Sequence, residues 1–513
     1  MFEKENLPKF IVFAILLVMG LVMIFAVRED SPTSDEPPHI LSGYVALKYG
    51  HNYIDPEHPL LVKTVAASPL LFQNIKVNLA DPNYQLQEKD LDIGRMFDTS
   101  RRFMNYSGNN PEQILFSTRI VMIFLTLVFG VVVYLLARKL FGETVAVVAV
   151  FLYATEPNIL ANGSLFNTDM GATGFVLLTT LALVHYSQRQ TLKRLIFLIL
   201  AITLTILTKF STFYFVPLVI LFIWYFNRDN KLRLIQHTSL LVFGSLALVS
   251  IFYGLISFRN LGFAGFVPTI FFKGLGMIFH SVSNDKRFSY LLGESYFGSK
   301  PQYFPILLLA KTQILTLIGF VTSLILIYLN KLSIDRKNLS ILLLPTGCFF
   351  LLALFSTFNI GVRHILPIYP VLIILAAAGF VALFRFFAPR LVWKNVSIVL
   401  VVGFLTIFGL RVYSITSTYP HFLSYYSLVF GGTDNGWRVA NDSNYDWGQD
   451  VKRLADFVQR NKIKSLAFDN YTGMYAARGY YKLPVRQISP GEKNYKGYVA
   501  LSTSVLTYHE NQP

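Results

Sequence analysis

The chain has a single cysteine in 513 residues, Cys348, and it sits within an apolar run, which excludes both a disulfide framework and a cysteine metal site. Charged side chains are scarce as well, at 14% of residues, too few to solvate a globular surface of this size. No HExxH motif or histidine cluster calls for zinc, and no internal repeat is visible. The net charge of +16 comes mostly from Lys and Arg in short connections rather than from one stripe or face, so nucleic acid is not an expected partner. What the chain has in abundance is apolar surface, at 53% hydrophobic residues. The bilayer is therefore its main solvent.

A hydrocarbon core about 30 Å thick needs roughly 20 apolar residues per helix. Scanning for such runs predicts about eleven spans, near 10–27, 114–137, 144–160, 170–186, 195–208, 212–226, 238–257, 304–329, 339–357, 365–384 and 396–412. The first reads as an anchor rather than a signal peptide, because its apolar run is long and more spans follow. The expectation is an all-α polytopic membrane protein with a transmembrane domain over 1–412 and a small extracytoplasmic α/β region over 413–513.

Lys and Arg gather in cytoplasmic loops. Basic connections hold Arg138 and Lys139; Arg189, Lys193 and Arg194; Arg228, Lys231 and Arg233; Lys331, Arg336 and Lys337; and Arg385, Arg390 and Lys394. They alternate with connections nearly free of cations, at 155–168, 209–211 and 358–364. This alternation predicts a cytoplasmic N-terminus, with segments 28–113 and 258–303 and the tail outside. The first outer segment, about 85 residues, exceeds an ordinary connection and contains a short amphipathic stretch, His58 to Phe72, suited to the membrane interface. In the tail, DWGQDVKRLADFVQR suits an amphipathic helix from Asp446, followed by strand-like IKSLAF and GYVALSTSVL.

Ionisable groups at span ends carry the functional signal, since charge near lipid is costly. Asp35 and Glu36 follow the first span, with His39 and then Glu57 and His58 downstream. Asp169 opens the fourth span, Arg119 lies near the start of the second, Lys209 occupies a tight turn, and Lys311, Arg363 and His364 come later. By the predicted topology all of them approach one membrane face. Carboxylates can accept a proton from a hydroxyl nucleophile, and Arg or Lys can neutralise a phosphate leaving group. Each residue also has a plainer reading: a solvated acidic pair, snorkelling arginines, a helix-capping Asp169, a structural His58 before Pro59. The charges alone fit a transferase and a transporter equally.

The motifs resemble glycosyltransferase family 39 of the GT-C glycosyltransferases, the protein O-mannosyltransferase and aminoarabinose transferase group, in its bacterial or archaeal form. DEPPHILSGYVALKYGHNYIDPEHPLLVK is similar to the family's first-loop signature, an acidic pair followed by an H-P-x-x-x-K turn. FSTRIVMIF, FNTDMGATGF, LTKFS, LLAKTQILTL and FNIGVRHILPIYP resemble its later motifs in order, and YPHFLSYYSLVFGG and DSNYDWGQDVKRL its C-terminal region. The resemblance implies an inverting transfer of mannose or a similar hexose, on the outer face of the plasma membrane, from a polyprenyl-phosphate donor to a hydroxyl acceptor. That acceptor is a protein Ser/Thr or an envelope glycan or lipid. A transporter or flippase of lipid-linked anions is the alternative.

Carried over by position, Asp35 is the implied general base, with Glu36 beside it and Asp169 supporting the same pocket. Arg119 and Arg363 are implied donor-phosphate ligands, joined by Lys311, His364 and Lys209; His58 and His39 are implied acceptor or pocket residues. Metal use varies within the family, so no metal ligand is assigned and a divalent metal stays open. The segment 258–303 is too short for the large luminal insertion of eukaryotic relatives; it reads as an outer gating loop with Phe263, Phe266, Phe271 and Phe272 against lipid or polyprenyl chain. Core packing or interfacial anchoring is the plainer and favoured reading of those rings. Asp442, Asp446, Trp447 and Asp450 are expected to serve chain capping rather than catalysis.

Overall fold

The computed structural model describes residues 6–50, 53–77, 93–284, 287–387, 394–469, 473–487 and 496–509. In chain order its helices are α1 (Leu7–Val27), α2 (Glu36–Tyr49), α3 (Leu61–Ala67), α4 (Ile93–Asn105), α5 (Pro111–Phe141), α6 (Glu143–Ala154), α7 (Pro157–Ser164), α8 (Thr168–Gln188) and α9 (Leu192–Ile206). Then come α10 (Phe215–Asn227), α11 (Lys231–Leu261) and α12 (Thr269–Asn284), followed by the strands β1 (Phe288–Leu291) and β2 (Glu294–Phe297). Five more helices follow: α13 (Tyr303–Lys311), α14 (Ile314–Tyr328), α15 (Arg336–Leu354), α16 (Tyr369–Phe387) and α17 (Lys394–Thr418). The tail adds α18 (Gly432–Asn435), α19 (Val451–Arg460), β3 (Leu466–Asp469), β4 (Val485–Arg486), β5 (Tyr498–Leu501) and α20 (Thr503–His509).

Among the described residues seven helices are long and apolar enough to cross a membrane: α1, α5, α8, α15, and α10, α11 and α16 with their adjoining 3-10 turns. Two predicted spans are broken, α6 with α7 by 64° and α13 with α14 by 108°. The remaining two predicted positions hold α9, of 15 residues, and α17. Arg390, from the last basic connection, lies outside the described residues. The two breaks repair each other. Gln313, between α13 and α14, donates to Thr155 O at 2.7 Å, and Arg411 of α17 donates to Leu152 O and Thr155 Oγ1, each at 2.8 Å. Backbone groups freed at the breaks thus find partners inside the protein.

α16 runs through the centre, with Ile373 to Ala378 fully enclosed. It meets α14 closely at Gly379, where a Cβ would stand 2.3 Å from Gly319 O. Small residues at such crossings let helix backbones touch and gain dispersion contacts.

The predicted interfacial stretch packs differently. Leu60, Leu61 and Leu70 are buried in the protein, while Val65, Leu71 and Phe72 face outward. In the 258–303 segment, Phe271 packs on Phe210 and Tyr253 while Phe263 and Phe272 remain exposed. β1 and β2 form an antiparallel hairpin pairing Phe288 with Phe297. The tail holds a parallel sheet in the order β4-β3-β5, covered by the Val451 and Val458 face of α19. That helix starts at Val451 rather than Asp446. Residues 446–450 instead form a loop strapped to the end of α1, with Ser31 N donating to Gln449 O at 2.9 Å and Ser34 N to Trp447 O at 3.0 Å. The strand-like GYVALSTSVL also divides, β5 giving way to α20 where Ser502 Oγ accepts from Val505 N at 3.2 Å.

Candidate active site

Asp35 stands at the N-cap of α2, where a side chain ordinarily accepts from the N–H of the second or third helical residue. Here those residues are Pro37 and Pro38, which have no N–H to give. The Asp35 carboxylate turns instead to Arg363, whose Nη1 lies 2.8 Å from Asp35 Oδ2 and 3.3 Å from Asp169 Oδ2. Arg363 Nε donates to Ser443 Oγ at 3.0 Å, and its guanidinium lies 4.2 Å from the Trp447 ring centroid. Asp169 is not the cap of α8. Asn167 caps it, accepting from Met170 N at 3.1 Å, which leaves Asp169 in the first turn, ion-paired with Lys209. An acid there is favoured by the helix dipole.

A second cluster follows α2. His39 Nδ1 lies 2.8 Å from Asp55 Oδ2, and Lys63 Nζ lies 3.1 Å from the same oxygen. Lys63 also donates to Asp55 O at 2.5 Å and to His58 O at 2.6 Å. Burial would push Asp55 up, but Lys63 and His39 override it and hold the carboxyl well below its usual range. Among the described residues Glu57 has no ion pair so close, its partner being Arg287 at 3.9 Å. Burial and the Asp55 charge push Glu57 up to about 7.

Both clusters open into one cavity of about 870 Å³. That volume accommodates a small-molecule ligand. Asp35, Arg363, Lys209 and His364 border it, as do His39, Asp55, Glu57 and His58, and Arg101 and Arg287 also reach it. The tail closes it with Asp442, Asp446 and Trp447. Burial pushes Asp442 and Asp446 each up to about 6. Among the described residues no three His, Cys, Asp or Glu side chains converge as a metal site.

Of the residues singled out in the sequence, Asp35, His39, His58, Lys209, Arg363 and His364 line the cavity, with Asp169 directly behind Arg363 and Lys209. Asp169 itself does not line it, and three others lie away from it. Glu36 and Arg119 form a sealed pair: Arg119 Nε and Nη2 reach the two Glu36 oxygens at 2.7 and 2.6 Å, and Phe166 N and Thr33 N complete the carboxylate at 2.9 Å each. Lys311 donates to Leu423 O at 2.7 Å and Asn444 O at 2.5 Å, tying the tail to α13. Asp442, Asp446 and Trp447 were expected to serve capping; the fold turns them into cavity wall. Arg101 and Arg287 lie in no motif, while Asp55 lies within the first-loop stretch, where it alternates with Glu57 in the turn DPEHP.

Residues 111–253 match the family described as dolichyl-phosphate-mannose-protein mannosyltransferase. No curated protein matches the chain in sequence. Among solved structures, ArnT from Cupriavidus metallidurans bound to undecaprenyl phosphate is similar at TM-score 0.53 and 14% identity, over 94% of this chain and 86% of that one. The archaeal oligosaccharyltransferase AglB from Archaeoglobus fulgidus, in complex with an inhibitory peptide and a dolichol-phosphate, is similar at TM-score 0.50 and 13% identity, over 93% of this chain and 64% of that one. The chain is thus a multi-pass membrane protein with the GT-C glycosyltransferase fold, and over residues 111–253 it carries the sequence pattern of the dolichyl-phosphate-mannose-protein mannosyltransferases.

Proposed function

We propose that the chain is an inverting glycosyltransferase that moves a sugar, mannose or a similar hexose, from a polyprenyl phosphate to a hydroxyl acceptor on a protein or an envelope glycan or lipid. One observation carries this reading: a carboxylate spared from helix capping, Asp35, faces a cavity that also presents the cations Arg287, Lys209, Arg101 and Arg363. In the reaction the acceptor oxygen attacks the anomeric carbon from the face opposite the phosphate. The carbon–oxygen bond to phosphate breaks, the phosphate leaves with the electron pair, and Asp35 takes the hydroxyl proton.

Arg287 is the guanidinium best suited to the departing phosphate, because among the described residues its nearest ion-pair carboxylate, Glu57, stays at 3.9 Å while Arg363 is engaged by Asp35 and Asp169. Arg363 then holds Asp35 in position. The solved relatives support a lipid-phosphate donor: ArnT is bound to undecaprenyl phosphate and AglB to a dolichol-phosphate. The basic connections after α5, α8, α10 and α14 lie at helix ends remote from Asp169 and Arg363, which supports an outward-facing cavity.

The test is sugar release from a panel of radiolabelled polyprenyl phosphate sugars, mannose included, by purified wild type and Asp35→Asn in detergent. The expected result is donor-dependent release by wild type that falls at least about 100-fold in Asp35→Asn. A wild type silent across the panel sinks the transferase reading, and an Asp35→Asn enzyme with full turnover sinks the base assignment.

A further inference from the structure

Asp35 lies 2.8 Å from the Arg363 guanidinium at the edge of the cavity. One turn along α2, His39 borders the same cavity. Its Nδ1 points at Asp55 Oδ2, and that carboxylate, 1% exposed, is fixed by Lys63. An anchored carboxylate on Nδ1–H selects the tautomer in which Nε2 is the accepting atom. The local fold maintains this arrangement. A Cβ at Gly43 would stand 2.1 Å from Lys63 O, so only glycine lets α2 lie against the segment that supplies Asp55 and Lys63.

His58 completes the setting. Its ring centroid lies 5.3 Å from that of His39. Burial above all, with the Lys209 and Lys63 charges adding to it, holds His58 well below its usual range despite Asp55. It therefore remains neutral and adds no competing positive charge beside His39.

We propose that His39 is a second proton-handling residue, with Asp55 as its positioning residue: the proton that leaves the acceptor hydroxyl passes from Asp35 across the cavity to His39 Nε2. The inference rests on the transferase reading above. The step balances without a further reactant. The acceptor O–H bond breaks and its electron pair makes the new bond to the anomeric carbon. The sugar–phosphate bond breaks onto the phosphate oxygen. Asp35 carries the proton and is restored to carboxylate when His39 receives it, and the imidazolium releases it to solvent after the product departs.

The experiment uses the full-length protein and the radiolabelled polyprenyl phosphate sugar that wild type turns over. His39→Ala is expected to lose about 100-fold in kcat with the donor KM unchanged, and added imidazole is expected to restore at least a tenth of the loss. A purely structural histidine would show no such rescue. If His39→Ala fails to fold, His39→Gln decides: a comparable fall in kcat at unchanged KM supports the proposal, and wild-type kcat overturns it. Wild-type kcat in His39→Ala likewise overturns it, as does a loss in His39→Ala that imidazole leaves untouched while His39→Gln stays fully active. A wild type inactive on every donor removes the transferase reading and this inference together, whereas an active wild type matched by the His39 variants removes the inference alone.

Discussion

Asp35 and Glu36 are neighbours in sequence, both acidic, and each is paired with an arginine, yet their surroundings are opposite. Glu36 is 0% exposed, and both of its oxygens are occupied by Arg119 and by two backbone amides. Asp35 keeps 18% of its side chain exposed and shares its arginine with Asp169. Burial alone would raise the Glu36 pKa, but the Arg119 charge and the amide donors reverse it and hold the carboxyl below its ordinary value. The difference teaches that a saturated carboxylate serves the fold while an under-coordinated one is available for chemistry. Glu57 is a third case in the same region, where burial and the Asp55 charge raise it to about 7.

The strongest way to break this comparison is to remove Glu36. Glu36→Ala leaves Arg119 charged in a sealed site and is expected to cost about 3–5 kcal/mol of stability. Asp35→Asn, whose arginine retains Asp169, is expected to cost less than about 1 kcal/mol. Thermal unfolding in detergent ranks the two, and equal destabilisation would erase the distinction between sealed and open acids.

Glu57 sharpens the contrast through pH. A carboxyl whose pKa rises from 4.5 to about 7 on folding binds a proton in the native state that the unfolded chain has lost. Its stabilisation is complete below pH 4.5 and disappears as pH climbs through 7, a swing of about 3 kcal/mol. Asp442 and Asp446, each raised to about 6, push in the same direction. Melting at pH 5 and pH 8 is expected to show the wild type losing stability at the higher pH, and Glu57→Gln losing less. Equal slopes for the two proteins would mean that Glu57 stays ionised.

The smallest expected effect concerns the cations. Arg287→Ala is expected to raise the donor KM about 10-fold, roughly one charge-assisted hydrogen bond, with little change in thermal midpoint. A KM equal to that of wild type would return the phosphate to Lys209 or Arg101.

Helices were legible in the sequence because apolar runs of span length have few alternatives. Their breaks were not, since apolar sequence resumes after the short interruptions at 155–158 and 311–313, and such interruptions read equally as the polar ends of spans. In the site, Asp35 was legible as an acid at the end of a span, and the two following prolines give a local reason for its availability. Glu36 could not be separated from it, because the arginine that seals it lies 83 residues away. Lys311 shows the converse limit. A lysine at a span end reads as a phosphate ligand until the fold surrounds its ammonium with the carbonyls of Leu423 and Asn444. Arg287 and Asp55 acquire meaning only when α12, the hairpin and α2 converge.

The stacking of Trp447 on Arg363 has an optical consequence. The chain has four tryptophans, and this one borders the cavity with its ring 4.2 Å from a guanidinium that also holds Asp35. Indole emission depends on the charge and polarity at the ring face, so anything that draws Arg363 away or fills the space beside it shifts the fluorescence of the unlabelled protein. Site occupancy can thus be titrated without a radioactive donor and without turnover, with Trp447→Phe identifying the share of the signal that belongs to this ring.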